Sequence, residues 1–379
     1  MTMTRRAERA VAAESVERAG RTVTRSLSRK VELSATRVYE LDPLSDTRWE
    51  PFINGHPKAS VFHSKQWLRA LQTSYGYNPV VLTTCSRETT LTNGLVCCRV
   101  NSWLTGKRLV SLPFADHCDL LASNSAELDD LLLHVRQRDV GKREHIEIRP
   151  VSYQPGSSNG FHQSATYRTH SLALCKSKQE LFNNLHKSSL QQRIRKAERE
   201  AVQCEEGNSE GMLGKFYGLL AITRRRHCLP PQPLSWFRAL INAFGDDLKI
   251  RVASKGDIPI ASILTLSHKT SMVYKYGCSN AHFHRFGGIA LLLWNAIEEA
   301  KDKGMHELDM GRSDCDNAGL ISFKERFGAV GRPLLYWTYP DRRKATLGIQ
   351  DRAMIRSLAR VTPEFALKAI GTLLYRHMG

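Results

Sequence analysis

The sequence predicts an α/β (α+β) protein made of two related units in tandem. Each is expected to be a mixed, mostly antiparallel sheet flanked by helices, with further helices at the C-terminus. Two observations carry this. Segments with strand-like alternation and segments with a period near 3.6 follow one another in the same coarse order twice along the chain. The 379 residues suffice for two units of ordinary size, and 41% hydrophobic with 24% charged residues is a globular composition.

Residues 1–37, rich in Arg, Ser, Thr and Ala, lack the apolar core of a signal peptide and read as a disordered basic tail. The first unit is expected over 38–160. Ser64–Ser74 suits a helix, with Trp67, Leu68 and Leu71 on one side. Pro79–Thr84, Thr90–Val100 and Arg108–Leu112 read as a strand meander. Ala126–Arg138 carries a helical stripe of Leu128, Leu131, Leu132 and Val135, and Glu144–Arg149 reads as a strand. The polar segment Ser152–Thr169, with Pro155-Gly156, is the expected boundary between the units.

The second unit, 161–340, repeats the order. Helices are expected at Lys178–Leu185, Ser189–Ala201, Glu210–Arg225 and Leu234–Ala243. Strands follow at Leu248–Ala253, Ile258–Ser267 and Thr270–Gly277, then a helix at Ile289–Lys303 and strands at His306–Met310 and Pro333–Tyr339. Residues 341–379 contain two amphipathic candidates, Ala345–Arg360 and Pro363–His377. In the second, Phe365, Ala366, Ala369, Ile370, Leu373 and Leu374 form a stripe that either packs on the second unit or lies on a membrane surface.

The formal net charge of +18 favours phosphates, nucleic acid or anionic lipid as partners. Nine cysteines, an odd number with no C-x-x-C pair, fit a reduced intracellular protein rather than a disulfide framework. No stretch of about 18 apolar residues predicts a spanning helix. The expected location is therefore cytoplasmic, with contact at the inner membrane face through the last helix as an extension of that reading.

Chemistry concentrates between Lys275 and Gly328. Arg285-Phe286-Gly287-Gly288-Ile289-Ala290 fits R-x-x-G-x-A ahead of a helix. Glycines there let backbone amides approach an anion, and the helix adds free N–H groups at the same point. Such a turn is also an ordinary way to join a strand to a helix. Asp309 ends a short strand in Leu308-Asp309-Met310-Gly311-Arg312-Ser313, where an acid serves as a base, orients one, or pairs with Arg312. Lys324, after Phe323 on a short helix, offers a point charge for a phosphate or is simply solvated. Tyr276 either protonates a leaving group or packs in the core.

LDMGRS…GLISFKERFGA resembles the C-terminal signature of FemAB-like acyltransferases, which have two tandem GNAT-like domains. Lys187–Glu200 resembles the family's basic helix, Thr223–Arg226 with Pro230, Pro231 and Pro233 its "TR-x-R…P-x-P" segment, and Ser111–Leu121 its "LPF-x-D/N-x-G" strand. The resemblance covers about residues 40–340. It implies transfer of an acetyl or aminoacyl group to an amine of a cell-wall, peptidoglycan or exopolysaccharide precursor that is lipid- or nucleotide-linked. It also implies acetyl-CoA or aminoacyl-tRNA as donor. In the tRNA users the lysine matching Lys324 sits near the donor's phosphates, and its phenylalanine neighbour matches Phe323. A first-domain acid serves the acceptor amine, and Asp116 and Asp119 both lie in the comparable strand. His117-Cys118 replaces the usual aromatic and glycine, and the helical arm of some tRNA users is missing.

The assignment that follows has Asp309, Tyr276 and Asp119 as catalytic residues and Arg285, Gly287, Gly288 and Ala290 at the donor. Arg312, Ser313, Phe323, Lys324, Arg195 and Arg224 are placed at the substrates. Backbone N–H groups near Tyr274–Gly277 would serve the oxyanion. A basic groove is expected from Lys187, Arg193, Arg195, Lys196 and Arg224–Arg226. No metal is assigned: Cys278, His282 and His284 have a C-x3-H-x-H spacing without a fourth ligand. Asp116-His117-Cys118-Asp119 is discounted as a thiol site because catalytic Cys-His pairs meet in space, not along one strand. An alternative from another class is a non-catalytic, basic RNA- or membrane-surface-binding protein on the same fold.

Overall fold

Short-range rules set most elements. Ser64 caps the helix Lys65–Tyr75 by accepting from the Trp67 N–H, and Gly76 in the left-handed region (φ +68°) ends it. Ser177, Ser209 and Asn317 cap later helices in the same way. The computed structural model describes residues 37–103, 106–139, 145–156, 159–340 and 363–378. The expected basic tail, apart from Arg37, and the helix expected at Ala345–Arg360 lie outside the described residues.

In chain order the elements are β1 (Tyr39–Leu41), α1 (Trp49–Gly55), α2 (Lys65–Tyr75), β2 (Asn78–Thr83), β3 (Leu95–Ser102), β4 (Gly106–Val110), α3 (Ser125–Asp139), β5 (His145–Ile148) and β6 (His162–Ala173). Then follow α4 (Lys178–Asn184), a π-helical turn (Lys187–Gln191), α5 (Gln192–Arg199), β7 (Gln203–Gly207), α6 (Glu210–Arg226), α7 (Leu234–Phe244), β8 (Leu248–Lys255), β9 (Ile258–His268) and β10 (Ser271–Ser279). The chain continues through α8 (Gly288–Asp302), β11 (Glu307–Asp314), α9 (Ala318–Arg326), β12 (Val330–Tyr339) and α10 (Glu364–Met378). The α/β class and the expected elements between 64 and 340 are borne out. The strands β1, β6 and β7 and the helix α1 were not foreseen. β6 corrects the expected linker: Ser152–Thr169 runs into a twelve-residue strand. Its polar residues concealed it, because they face a polar site rather than a core.

All twelve strands of the described residues form one sheet, ordered β1-β2-β3-β4-β5-β12-β6-β11-β10-β9-β8-β7. Each side of its centre repeats one plan: four antiparallel strands, then a parallel neighbour reached through a helix. In the first half α3 carries the chain from β4 to parallel β5, and in the second α8 carries it from β10 to parallel β11. The strand after each parallel neighbour crosses over. β6 follows β5 in sequence but pairs with β11, and β12 pairs with β5 on one side and β6 on the other. The two halves thus exchange their last strands.

On one face, α2 of the first half packs against α7 of the second around Trp67 and Trp236, whose rings meet edge-on at 5.2 Å. That core is continuous across both halves. On the other face, α3 covers the first half and α5 with α8 the second, in separate cores. Strand alternation assigns the faces: Ile250, Val252 and Leu264 point to the shared core, Ala253 and Ile263 to the other side.

Helix α10 packs, but not through the stripe expected for it. Leu367 and Gly371 are buried, with Leu367 on Cys228 and Gly371 against Pro231, and the Tyr375 hydroxyl donates to the Pro230 carbonyl. Ala369, Ile370 and Leu373 face outward. No described helix is long and apolar enough to cross a membrane.

Candidate active site

The segment Ser111–Leu121 leaves β4 and crosses the central strands of the sheet. Leu112 and Phe114 both take positive φ (58° and 59°), a strained backbone for non-glycine residues that surrounding bonds must hold. Four side chains hold it. Arg149 Nη1 donates to the carbonyls of Leu112 and Ala115, at 2.9 and 3.0 Å. The Tyr336 hydroxyl donates to the Asp116 carbonyl at 2.6 Å, Lys275 Nζ reaches Asp116 Oδ2 at 2.8 Å, and His117 Nε2 meets Asp309 Oδ2 at 2.8 Å. Beside this strap lies a cavity of about 430 Å³.

Five cations line that cavity, Arg108, Arg149, Arg224, Lys275 and Arg312, against the two carboxylates Asp116 and Glu147. Glu147 pairs with Arg149 at 2.8 Å, and Asp116 with Lys275. The surplus positive charge suits a phosphorylated ligand. Arg312 is fixed by stacking, 4.3 Å from the Tyr167 ring centroid, and by donating to the Tyr336 hydroxyl at 2.9 Å. Burial alone would raise the Asp116 carboxyl, but Lys275, Arg312 and His117 outweigh it and hold it below the usual range. Burial would likewise lower the His117 imidazole, yet Asp309 and the neighbouring acids leave it raised.

Lys324 sits behind Arg312. It is only 2% exposed, and its Nζ donates to the carbonyls of Gly311 and Arg312 at 2.8 and 3.0 Å. Burial, assisted by Lys275 and Arg312, pushes it down to about 8, with Asp116 and Asp309 opposing. In place of a solvated lysine there is a buried one poised near neutrality.

A second cavity, of about 200 Å³, lies at the R-x-x-G-x-A turn. Gly287 (φ +73°) precedes α8, and Gly288, Ile289, Ala290, Arg193 and Phe323 line the space. A helix N-terminus with an arginine beside it fits a diphosphate. Arg285 does not line it: the side chain is exposed and stacks on Phe286 at 4.9 Å. Arg193 occupies the place expected for it. Phe323 thus faces the turn cavity, while Lys324, next in sequence, points to β11.

The strands between these places diverge. β10 pairs with β11 only at Ser271–Val273, and its register with β9 shifts between Tyr274 and Tyr276. A Cβ at Gly277 would overlap the Tyr274 hydroxyl, so a side chain there would require the tyrosine ring to move.

Several expected residues have other surroundings. Asp119 Oδ1 accepts from the N–H groups of Val151 and Ser152, which anchors backbone, while Asp116 is the acid in the cationic cavity. Asp309 pairs with His117 and the Gly311 N–H, not with Arg312. The Tyr276 hydroxyl accepts from Trp236 Nε1 at 2.9 Å, and burial raises it well above an ordinary tyrosine. Ser313 is buried with no partner for its hydroxyl. The expected basic groove is divided: Arg224 lines the cationic cavity, Arg193 the turn cavity, and Arg195 stacks on Phe182 at 5.6 Å. The reason is that α5 and α6 lie on opposite faces of the sheet. Cys118 meets His63, not His117; burial holds that thiol raised to about 12 and that imidazole lowered to about 4, both uncharged near neutrality. Cys278 is buried against the Phe216 and Ser262 carbonyls, and no metal-like cluster of three occurs among the described residues.

Lys275, Tyr336, Tyr167, Arg149 and His117 were not anticipated. Lys275 left a signal, a lysine between two tyrosines in an otherwise apolar strand. The tyrosines on β6 and β12 meet only through long-range pairing.

Residues 185–324 match the family model described as an acetyltransferase (GNAT) domain. A structure described as FemX superposes with a TM-score of 0.62 at 15% identity, covering 79% of this chain and 97% of that one. The chain has a FemAB-like GNAT fold. A conserved protein of unknown function from Bacteroides thetaiotaomicron gives 0.54 at 10% identity, over 80% of this chain and 99% of that one. A tandem GNAT protein from the clavulanic acid biosynthesis pathway gives 0.50 at 11%, over 80% and 97%. No curated protein matches the chain. Both cavities touch the segment matched by the GNAT model, and the strap with Asp116 comes from outside it.

Proposed function

We propose that this GNAT-fold protein is an N-acyltransferase that moves an acetyl or aminoacyl group onto an amine of an anionic cell-envelope precursor, of peptidoglycan or polysaccharide type. The observation that carries the reading is Lys324, next to the cavity-lining Arg312 and held near neutrality by burial, against the pull of Asp116 and Asp309. The turn cavity holds the phosphates of the donor, acetyl-CoA or aminoacyl-tRNA, on the α8 amides and Arg193. The larger cavity holds the acceptor's phosphates on Arg224 and Arg312.

The amine attacks the acyl carbon directly, without a covalent enzyme intermediate. Asp116, ionised and fixed by Lys275, accepts a hydrogen bond from the amine and directs its lone pair; the proton passes to it or to water. Negative charge grows on the carbonyl oxygen near the divergent β10, and the charge of Lys324, behind Arg312, stabilises it through its field. Collapse breaks the bond to the donor, and the departing thiolate or alkoxide takes up the proton that the amine released to Asp116 or water. Asp309 orients His117 and so the strap.

The test is thermal unfolding with and without millimolar acetyl-CoA. Ligand at 100 times its dissociation constant adds about 2.7 kcal/mol, a clear rise in melting temperature. A rise that Gly288→Asp removes supports the donor site. No rise with acetyl-CoA, and none with charged tRNA, contradicts it.

A further inference from the structure

The packing of α10 leaves an anomaly. Its inward line is Leu367, Gly371 and Tyr375, and its outward side carries Ala369, Ile370 and Leu373, with Ile370 41% and Leu373 63% exposed. Between the two runs a polar strip of Lys368, Thr372 and Arg376 at i, i+4, i+8. A helix apolar on two opposite sides calls for two covers, and the described residues supply one. The outward side continues past the helix. Trp103, 78% exposed, donates from Nε1 to His377 Nε2 at 3.1 Å. Leu229, 46% exposed, precedes the Pro230–Pro231 ledge on which α10 rests.

The same helix walls the cationic cavity. Tyr375 lines it, and Arg108, also in its lining, donates from Nη2 to the His377 carbonyl at 3.2 Å. The apolar patch thus lies on the far side of a helix whose inner side walls a pocket rich in arginine, on a protein of net charge +18.

We propose that α10 and Trp103 form the docking surface for an anionic lipid bilayer. Leu373, Ile370 and the Trp103 indole enter the acyl–headgroup boundary, and exposed Arg376 meets the anionic headgroups, while Lys368 stays on the Tyr217 ring at 5.5 Å. Charge decides the occupant: a neutral protein partner uses the apolar face alone, whereas an anionic bilayer satisfies the apolar face and the basic strip together. Resting on the acyltransferase reading, this brings the cationic cavity to within one helix of a membrane that carries a lipid-borne acceptor.

The experiment is co-sedimentation of the full chain with two kinds of vesicle. One is phosphatidylcholine alone, the other phosphatidylcholine mixed with an equal amount of phosphatidylglycerol. The expected result is binding to the mixed vesicles only, weakened roughly tenfold or more in Ile370→Glu/Leu373→Glu. Both side chains are exposed, so the variant keeps the wild-type melting temperature. Trp103→Ala, in the β3–β4 connection against His377, weakens binding as well. Equal binding by wild type and double variant overturns the proposal, as does failure of wild type to bind either vesicle. A wild-type dimer that the double variant converts to monomer overturns it too, by naming a second copy as the occupant. No readout depends on turnover, so failure here is distinct from failure of the acyltransferase reading.

Discussion

Lys324 shows how far a residue's neighbourhood departs from its local sequence. On a short helix, beside a phenylalanine, it read equally well as a phosphate ligand or a solvated lysine. Only the fold buries it on the Gly311 and Arg312 carbonyls. Burial lowers it from 10.5 to about 8, so between those values the unfolded chain binds more protons than the folded one. The stability it contributes is present above the unfolded value and lost as pH falls through about 8. Denaturant titrations of wild type and Lys324→Met should therefore diverge as pH rises. The wild type gains on the variant by on the order of 3 kcal/mol across the window, since a tenfold change in proton affinity is worth about 1.4 kcal/mol. Catalytically, Lys324→Met is expected to lower kcat about a hundredfold or more with little change in KM. Asp116 makes a complementary case. Asp116→Asn weakens the pairing of buried Lys275 and is expected to cost about 1–3 kcal/mol along with activity. Adding Lys275→Met removes the lone charge and should restore stability but not activity.

At the level of elements, the sequence was most legible where one rule acts alone. Capped helices and apolar strands between Ser64 and Tyr339 fall where periodicity puts them. β6 was illegible because its side chains serve a polar site, so the alternation that marks a half-buried strand is absent. The stripe on α10 is apolar as expected, but of the two uses given for it packing on the second unit is not the one seen, because Leu367, Gly371 and Tyr375 meet Cys228 and the Pro230–Pro231 ledge instead. The turn before α8 was recognisable, but its arginine is Arg193, from an element 92 residues earlier than Arg285 in the sequence. A Cβ at Gly287 would stand 2.5 Å from the Arg193 carbonyl, on backbone already at φ +73°. Gly287→Ala should thus destabilise by about 1–3 kcal/mol and displace α5, measured as a lowered melting temperature together with weaker donor binding.

For the whole molecule, the tandem arrangement was visible as a repeated order of elements, whereas the exchange of last strands was not. No local pattern says that β12 will leave its own half to sit between β5 and β6. The exchange couples the halves: without β12, β5 is an open edge, and without α7 the core around Trp67 loses its cover. Residues 38–160 expressed alone are expected to show no cooperative thermal transition, while 38–379 shows one. A sharp transition in the fragment would mean that the halves are independent. The same coupling brings Asp116 from the first half to Lys275 and Lys324 from the second, which is the basis of the proposed chemistry. The most direct measurement supplies labelled acetyl-CoA, and separately charged tRNA, to the purified protein with a cell-envelope precursor extract, and follows label into amide product. The account predicts product from one donor with wild type and at least about a hundredfold less with Lys324→Met or Asp116→Asn. Wild-type protein that binds a donor yet makes no amide with either, or variants as active as wild type, would contradict it.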